Sequence, residues 1–219
     1  MQQISRPVTS NQPGLHPRLA ERVRKHLRSP NRRPVPDFSR AAFAELARLQ
    51  EEDPRPLVLD SFCGTGMSTA LLAARHPQHR VVGIDRSADR LGRHTAADTP
   101  GSGASYHLLR AECEDIWQLI REAGWRVDYH YLLYPNPWPK AAHLQRRIHG
   151  HPGFADLVAL GGRIELRSNW QTYVEEFGVA LLLAGIPGLV RQLPEGPALT
   201  RFEAKYRASG HALWQYQGP

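Results

Sequence analysis

From residue 56 onward, short apolar segments alternate with segments of helical hydrophobic spacing, and this alternation restricts the possible folds more than any other feature. The strand candidates are PLVLDSF, RVVGID, ASYHLLR, VDYHYLLY, GRIELRS, GLVRQL and HALWQYQ. Helical patterns separate the first five at residues 67–75, 88–94, 114–123 and 154–160, and a longer pattern follows. Such alternation predicts an α/β fold, with a seven-stranded and mostly parallel sheet joined by right-handed crossovers. The interval before the last strand is too short for a crossover helix with two loops, so we expect that strand to run antiparallel.

Residues 1–50 precede this pattern and are predicted to form a basic helical N-terminal extension, which leaves 51–219 as the α/β domain. Leu19, Val23 and Leu27 recur at a spacing of four, which is typical of one face of a short helix. Asp37 is predicted to cap a second helix with the sequence FSRAAFAELARLQ.

The chain is basic, with 28 Lys and Arg against 21 Asp and Glu, a net charge of +7 and a pI of about 9.8. This excess favours a polyanionic partner, above all a nucleic acid. The N-terminus has no apolar signal-peptide core, and the most apolar stretch, VALLLAGIPGLV, is too short to span a bilayer. We therefore expect a cytoplasmic protein with no membrane contact. Two cysteines without a CxxC pair, and histidines without an evident carboxylate or cysteine partner, lead us to expect no metal.

The first strand and helix enclose a glycine loop, in the segment LVLDSFCGTGMSTALLAA. Gly64 and Gly66 allow a ligand to approach the backbone closely, and the following helix offers free N–H groups. The pattern is not G-x-G-x-x-G, because Ser68 and Thr69 stand where the third glycine would be. Asp60, at the end of the strand, suits an ammonium group better than a pyrophosphate.

Two further acids follow the next two strands. Asp85 ends VVGID, where its carboxylate could accept hydrogen bonds from two ribose hydroxyls, and Glu112 follows YHLLR, where it could meet an adenine amino group. Dinucleotide-binding folds carry an acid like Asp85 as well, and both aspartates could simply cap the following helices. Acids at three successive strand ends nevertheless favour S-adenosylmethionine as the cofactor.

After the fourth strand, the chain continues as YLLYPNPWPKAAHLQRR, in which three prolines within five residues prevent both helix and strand pairing. This segment resembles the tRNA (guanine-N7)-methyltransferase family, whose fourth strand ends in a P-D-P-W-P-K turn followed by a basic helix with His and Arg-Arg. Here that order is given by residues 135–140, then His143, Arg146 and Arg147. LVALGGRIELRSNWQTYVEEF and LTRFEAKYRASGHALWQYQ also resemble the family, the latter through its T-x-(F/Y)-E motif. The resemblance covers residues 57–217.

The resemblance implies a Rossmann-like class I methyltransferase fold that uses S-adenosylmethionine to methylate N7 of a tRNA guanine, guanine 46 of the variable loop. It places Asn136 at the reaction centre, as a catalytic and cofactor-binding residue. The other implied cofactor-binding residues are Asp60, Gly64, Gly66, Asp85 and Glu112. The implied guanine-nucleotide contacts are Lys140, Asn169, Thr200 and Glu203, and the implied contacts with RNA phosphates are Arg146 and Arg147.

This chain departs from the family at three positions, so the resemblance is to a divergent member. Asn136 and Asn169 replace aspartates, and Phe62 replaces the first glycine of the loop. Methylation of guanine N7 needs no general base, so loss of a carboxylate predicts slower rather than abolished transfer. Two alternatives remain open: methylation of another base or an amide through the Asn-Pro-Trp turn, or a degenerate protein that binds cofactor or RNA. The sequence also leaves the oligomeric state open.

Overall fold

The structure is a computed structural model that describes residues 5–29, 31–95 and 105–219. A single seven-stranded sheet has the order β3-β2-β1-β4-β5-β7-β6. Its strands are β1 (Leu57–Ser61), β2 (Arg80–Asp85), β3 (Tyr106–Arg110), β4 (Val127–Leu133), β5 (Arg163–Ser168), β6 (Leu189–Gln192) and β7 (Trp214–Gln217). The first five strands pair in parallel, and β7 is antiparallel to both of its neighbours. The predicted α/β class, the seven strands and the antiparallel last strand are all confirmed.

Helices follow the predicted alternation closely. They are α1 (Leu19–Arg28), α2 (Asp37–Glu52), α3 (Met67–Arg75), α4 (Ala88–Leu91), α5 (Cys113–Glu122), α6 (Phe154–Leu160), α7 (Gln171–Leu183) and α8 (Arg201–Ala208). Pro36, rather than Asp37, is the N-cap of α2, so the predicted cap is wrong; Asp37 lies in the first helical turn, where its charge favours the positive end of the helix.

Two segments differ from expectation. The interval between β6 and β7 holds α8, yet no crossover is needed because these two strands are adjacent and antiparallel. The family-like basic helix after the proline turn is absent; two 3₁₀ helices, Ala141–Arg146 and Ile148–Gly150, occupy that segment. Arg147 separates them in an extended conformation, and this break sends its side chain inward.

The main core lies between one face of the sheet and five helices, to which the N-terminal pair α1 and α2 contributes Leu19, Val23 and Leu46. The predicted boundary at residue 50 falls inside α2. A smaller cluster on the other face joins α3 to β1 and β2 through Val58, Leu72, Ala73 and Val81. No helix within the described ranges is long and apolar enough to cross a membrane.

Candidate active site

The three predicted cofactor acids lie at the carboxyl ends of three neighbouring strands. Asp60 is the penultimate residue of β1, Asp85 ends β2, and Glu112 is the N-cap of α5, two residues after the end of β3. Because these strands are adjacent and parallel, the acids line one edge of the sheet. This edge is where open α/β sheets bind ligands.

Asp60 is fully buried at the base of the glycine loop. Its Oδ2 accepts hydrogen bonds from Ser68 Oγ at 2.6 Å and Thr69 Oγ1 at 2.7 Å, whereas Oδ1 has no partner among the described residues. Burial raises the pKa of the Asp60 carboxyl to about 6, against the two hydroxyl hydrogen bonds, and the charge of Asp85 adds to the rise. A buried carboxylate oxygen without a donor calls for a cationic or N–H partner.

Asp85 fastens the glycine loop to the second strand. Its Oδ2 accepts from Gly64 N at 3.0 Å and from Arg90 Nη1 at 3.4 Å. Its Oδ1 accepts from Ser87 N at 2.8 Å and keeps a second lone-pair direction. Gly64 has a φ of +64°, and a Cβ built there would meet no atom within 4 Å. The loop therefore borders open space beside a carboxylate, which suits a ribose with two hydroxyls.

At two positions in or just after this loop, Phe62 and Thr69 stand where a glycine is expected, and neighbouring residues accommodate both. Phe62 adopts the left-handed φ of 63° that a glycine would take freely, a strain on the order of 1–3 kcal/mol. Its ring packs edge-on against Trp117 at 5.9 Å. Thr69 replaces the usual helix glycine, but Gly83 on β2 gives the close approach instead, since a Cβ there would lie 2.2 Å from Thr69 Oγ1.

The proline turn, residues 135–140, follows β4 beside these acids. Asn136 is exposed, and its Oδ1 accepts from Trp138 N at 3.3 Å, which closes an Asx-type turn around a left-handed Trp138. An aspartate would accept the same bond. Replacement of Asp by Asn therefore keeps the turn and removes only its charge.

Lys140 and Arg146 are exposed next to the turn, as a role in phosphate binding requires. The Arg146 guanidinium lies 4.8 Å from the centre of the Trp138 ring. Neither cation has an ion pair among the described residues, so both remain available to an anion.

Arg147 corrects the sequence prediction, because its side chain is completely buried. It forms an ion pair with the equally buried Glu176 and donates to Trp138 O at 3.2 Å and Lys140 O at 3.3 Å. The predicted contact with RNA phosphate is therefore wrong. Arg147 holds the backbone of the proline turn from inside the protein.

Glu203 also departs from its predicted role. Its carboxylate is buried and pairs with Arg167 at 3.0 Å and Arg207 at 3.2 Å, so direct contact with a nucleotide is not supported. Thr200 is the N-cap of α8 and accepts from Glu203 N at 2.9 Å. Asn169, just beyond β5, remains half-buried with its amide 3.3 Å from His211 Nδ1.

Comparison with known proteins agrees with this geometry. The family model described as "Putative methyltransferase" matches residues 54–216. A tRNA (guanine-N(7)-)-methyltransferase of Yersinia pseudotuberculosis is 30% identical over an alignment of 175 residues, and the match covers 73% of this chain and 70% of that protein. The enzyme of the same name from Serratia proteamaculans gives 30% over 174 residues with the same coverage. The chain belongs to the tRNA (guanine-N7)-methyltransferase family. It is a divergent member and an S-adenosylmethionine-dependent methyltransferase.

Solved structures support the fold of this methyltransferase. The 16S rRNA methyltransferase KamB superposes with a TM-score of 0.57 at 19% identity, covering 85% of this chain and 94% of that one. The 16S rRNA (adenine(1408)-N(1))-methyltransferase of Catenulisporales acidiphilia, solved with its cosubstrate, gives 0.52 at 17%, covering 80% and 89%. Both are class I methyltransferase folds.

The residues of this methyltransferase fit its cofactor. The partnerless Oδ1 of Asp60 matches an ammonium group, and Asp85 beside the open space at Gly64 matches a ribose. Glu112 has a half-buried side chain, 3.8 Å from Arg86, and would lie near the adenine.

The sequence patterns above did not predict a cluster of aromatic rings beside the proline turn, which we call the aromatic wall. Tyr134 lies 5.6 Å from Tyr206, which stacks on His211 at 5.4 Å and on Phe202 at 6.1 Å. The spacing of four between Phe202 and Tyr206 places both on one face of α8 and could have revealed it. This methyltransferase thus has aromatic surface next to the turn that carries Asn136.

Proposed function

We propose that this methyltransferase transfers a methyl group to N7 of a guanine in tRNA, the variable-loop guanine 46. The observation that carries the proposal is the family's proline turn, held next to the cofactor acids with its Asx hydrogen bond kept by Asn136. Relatives at 30% identity bear the name tRNA (guanine-N(7)-)-methyltransferase.

The residues at the turn match the needs of this reaction. S-adenosylmethionine, when bound, supplies an electrophilic methyl group. Guanine N7 carries a free lone pair, so the protein must align the base rather than remove a proton. The turn is rigid because Arg147 and the Trp138 N–H fix its backbone, and the aromatic wall offers ring surface on which a base can stack. The neutral Asn136 stabilises the cationic product less than an aspartate would.

The substrate class follows from charge. Lys140 and Arg146 are exposed beside the turn, and the whole chain carries a net charge of +7. A phosphate backbone running past the turn would satisfy both cations, with an affinity that falls steeply as salt increases. Action on tRNA also implies a cytoplasmic location, which belongs to the same proposal.

The test is single-turnover transfer of labelled methyl from S-adenosylmethionine to bulk tRNA that lacks 7-methylguanosine. We expect label in the RNA, and nucleoside analysis should recover it as 7-methylguanosine. The Asp85→Ala variant, for which we expect a weaker affinity for S-adenosylmethionine, serves as the control with reduced transfer at limiting cofactor. Unlabelled tRNA with wild-type protein, or label in another nucleoside, would contradict the proposal.

A second candidate is favoured by the two amides at Asn136 and Asn169. An Asn-Pro-Trp turn presents side-chain and backbone carbonyls to an exocyclic amine, which would direct transfer to another base or to an amide. Recovery of an N-methylated amino group in the same experiment would support this candidate. Cofactor binding without transfer to any RNA would instead identify a degenerate member.

A further inference from the structure

Residues 5–16 run along the carboxyl edge of the sheet without regular secondary structure, and we call them the N-terminal strap. At its start, Ser5 N donates to Ser209 Oγ at 2.9 Å, and His211 Nε2 donates to Ser5 O at 3.0 Å. The protonated Nε2 leaves His211 Nδ1 as the acceptor for the Asn169 amide. The first anchor of the strap is therefore linked to a residue of the candidate substrate site.

The second anchor lies on the proline turn. Ser10 Oγ donates to Pro139 O at 2.6 Å, and Asn11 Oδ1 accepts from Ala141 N at 3.0 Å. Between the two anchors, Val8 packs against the main core. The two anchors thus hold residues 6–9 between them, and we call these residues the free stretch.

The third anchor is buried. Gln12 Nε2 donates to Glu176 Oε1 at 2.7 Å, while its Oε1 accepts from Arg147 Nη2 at 3.0 Å. His16 N donates to the same Glu176 oxygen at 2.8 Å. Because Gln12 completes the environment of a buried ion pair, the strap is a built part of the fold rather than a loose tail.

Sheet topology places the strap over the candidate substrate site. β5 lies between β4 and β7, and the start of β7 pairs with the end of β5 through Ser168 and Trp214. A segment that runs from Ser209 and His211 to the turn after β4 must cross the end of β5. Asn169 is at that end.

The free stretch carries a cation. Arg6 is exposed and has no ion pair among the described residues, and Thr9, three residues further along, is exposed as well. Lys140 and Arg146 stand unpaired beyond the second anchor. Three unpaired cations on two sides of one site are complementary to a phosphate backbone.

We propose that the N-terminal strap forms one wall of the RNA-binding site and that Arg6 contacts a phosphate of the substrate RNA. The inference rests on the proposed action on RNA and adds to it a segment outside residues 54–216, the range that the family model matches. The strap is held by hydrogen bonds within the protein itself, so it shapes the site before the RNA arrives.

The test compares Arg6→Gln with Arg126→Gln. Arg126 is exposed and directly precedes β4, so it lies at the opposite edge of the sheet. Binding to tRNA is measured over a range of salt concentrations. The slope of log K against log salt is negative, and loss of one phosphate contact should make it shallower by roughly 0.7–0.9. We expect this change for Arg6→Gln, with a higher KM for tRNA, an unchanged kcat and unchanged affinity for S-adenosylmethionine. Arg126→Gln should match wild type.

Equal slopes for Arg6→Gln and wild type would overturn the inference, and so would a wild-type protein that binds no RNA at any salt concentration. The proposed function is judged separately, by the nucleoside that wild type methylates. If that nucleoside is not 7-methylguanosine, the slope comparison is made on the RNA that does accept methyl. A uniform loss in both variants would assign the effect to net charge and also overturn the strap contact.

Discussion

The two halves of the candidate site are built in different ways. In the cofactor half, Asp60 bonds to residues 8 and 9 positions away, and Asp85 reaches Gly64 across 21. In the substrate half, Gln12 reaches Arg147 across 135 positions and Glu176 across 164. The part of the cofactor half that contains Asp60, Gly64 and Asp85 is therefore a local product of the β1–α3–β2 unit, and Glu112 joins it from the end of β3. The substrate half forms only when the N-terminus, the proline turn and α7 come together.

The halves also differ in electrostatics. The cofactor half presents carboxylates, one of them with a partnerless oxygen, to a cationic ligand. The substrate half neutralises its interior charges as the Arg147–Glu176 pair and leaves its unpaired cations outside. One half thus suits an ammonium group and the other suits phosphates, so single substitutions should separate their functions.

The largest effect should come from breaking the substrate half at its buried pair. Glu176→Ala strands Arg147, Gln12 and His149 without their shared acceptor. We expect the free energy of unfolding to fall by about 3–5 kcal/mol, since an unpaired buried charge remains. Urea denaturation followed by circular dichroism measures it.

The matched control is Glu21→Ala, which breaks an exposed pair with Arg18 in α1. Its urea midpoint should equal that of wild type. If Glu176→Ala also unfolds at the wild-type midpoint, the long-range network does not hold the substrate half together, and the contrast between the halves disappears.

The next largest effect should be a weaker affinity for the cofactor when the cofactor half is altered. Asp85→Ala removes the carboxylate that accepts from Gly64 N and that we propose binds the ribose. We expect affinity for S-adenosylmethionine to weaken by roughly 2–4 kcal/mol, measured by titration calorimetry on protein shown to be folded. Asp89→Ala, which changes an exposed acid of α4 paired with Arg93, is the control and should bind as wild type does. Unchanged affinity in Asp85→Ala would show that the cofactor does not bind at Asp85.

The contrast also explains what the sequence could predict. Strands, helices and the cofactor acids follow from periodicity and from motifs within one unit, and the structure brings Asp60, Asp85 and Glu112 to one edge as expected. Arg146 and Arg147 look identical in sequence, yet one is exposed and the other fully buried. Their difference depends on Glu176 and Gln12, which no local pattern connects to them. The prediction for Glu203 in α8 fails for the same reason, because its partner Arg167 lies on β5, 36 positions away.

A smaller effect is expected at Asn136, where the halves meet. Asn136→Ala removes the acceptor of the Trp138 N–H, so the turn loosens and the base is aligned less well. Single-turnover methyl transfer should slow by roughly 5- to 150-fold, equivalent to about 1–3 kcal/mol, with little change in cofactor affinity.

Asn136→Asp distinguishes turn geometry from charge. Aspartate keeps the Asx acceptor and adds a negative charge, so it should accelerate guanine-N7 methylation, whose product is cationic. If aspartate slows transfer instead, the native target is an exocyclic amine or amide. If neither variant alters transfer to any RNA, Asn136 is only a turn residue.

The smallest expected effect concerns pH and tests the cofactor half alone. Burial raises the pKa of the Asp60 carboxyl to about 6, whereas the same group in the unfolded chain loses its proton near pH 4. Between about pH 4 and pH 6, the folded protein without cofactor therefore holds a proton that the unfolded chain has released. The Asp60 contribution to stability is therefore greatest below pH 4 and is lost as pH rises through 6. Cofactor affinity should change in the opposite direction, since only the carboxylate attracts an ammonium group.

Calorimetric titration with S-adenosylmethionine at pH 5 and pH 7 measures this linkage. With a pKa of about 6 for Asp60, roughly a tenth of the carboxyl is ionised at pH 5 and nine tenths at pH 7, so affinity should be about tenfold weaker at pH 5. Asp60→Asn keeps an acceptor for Ser68 and Thr69 but does not titrate; it should bind weakly at both pH values. If Asp60→Asn shows the same tenfold dependence, another group binds the ammonium. The partnerless oxygen of Asp60 would then belong to the protein interior rather than to the cofactor site.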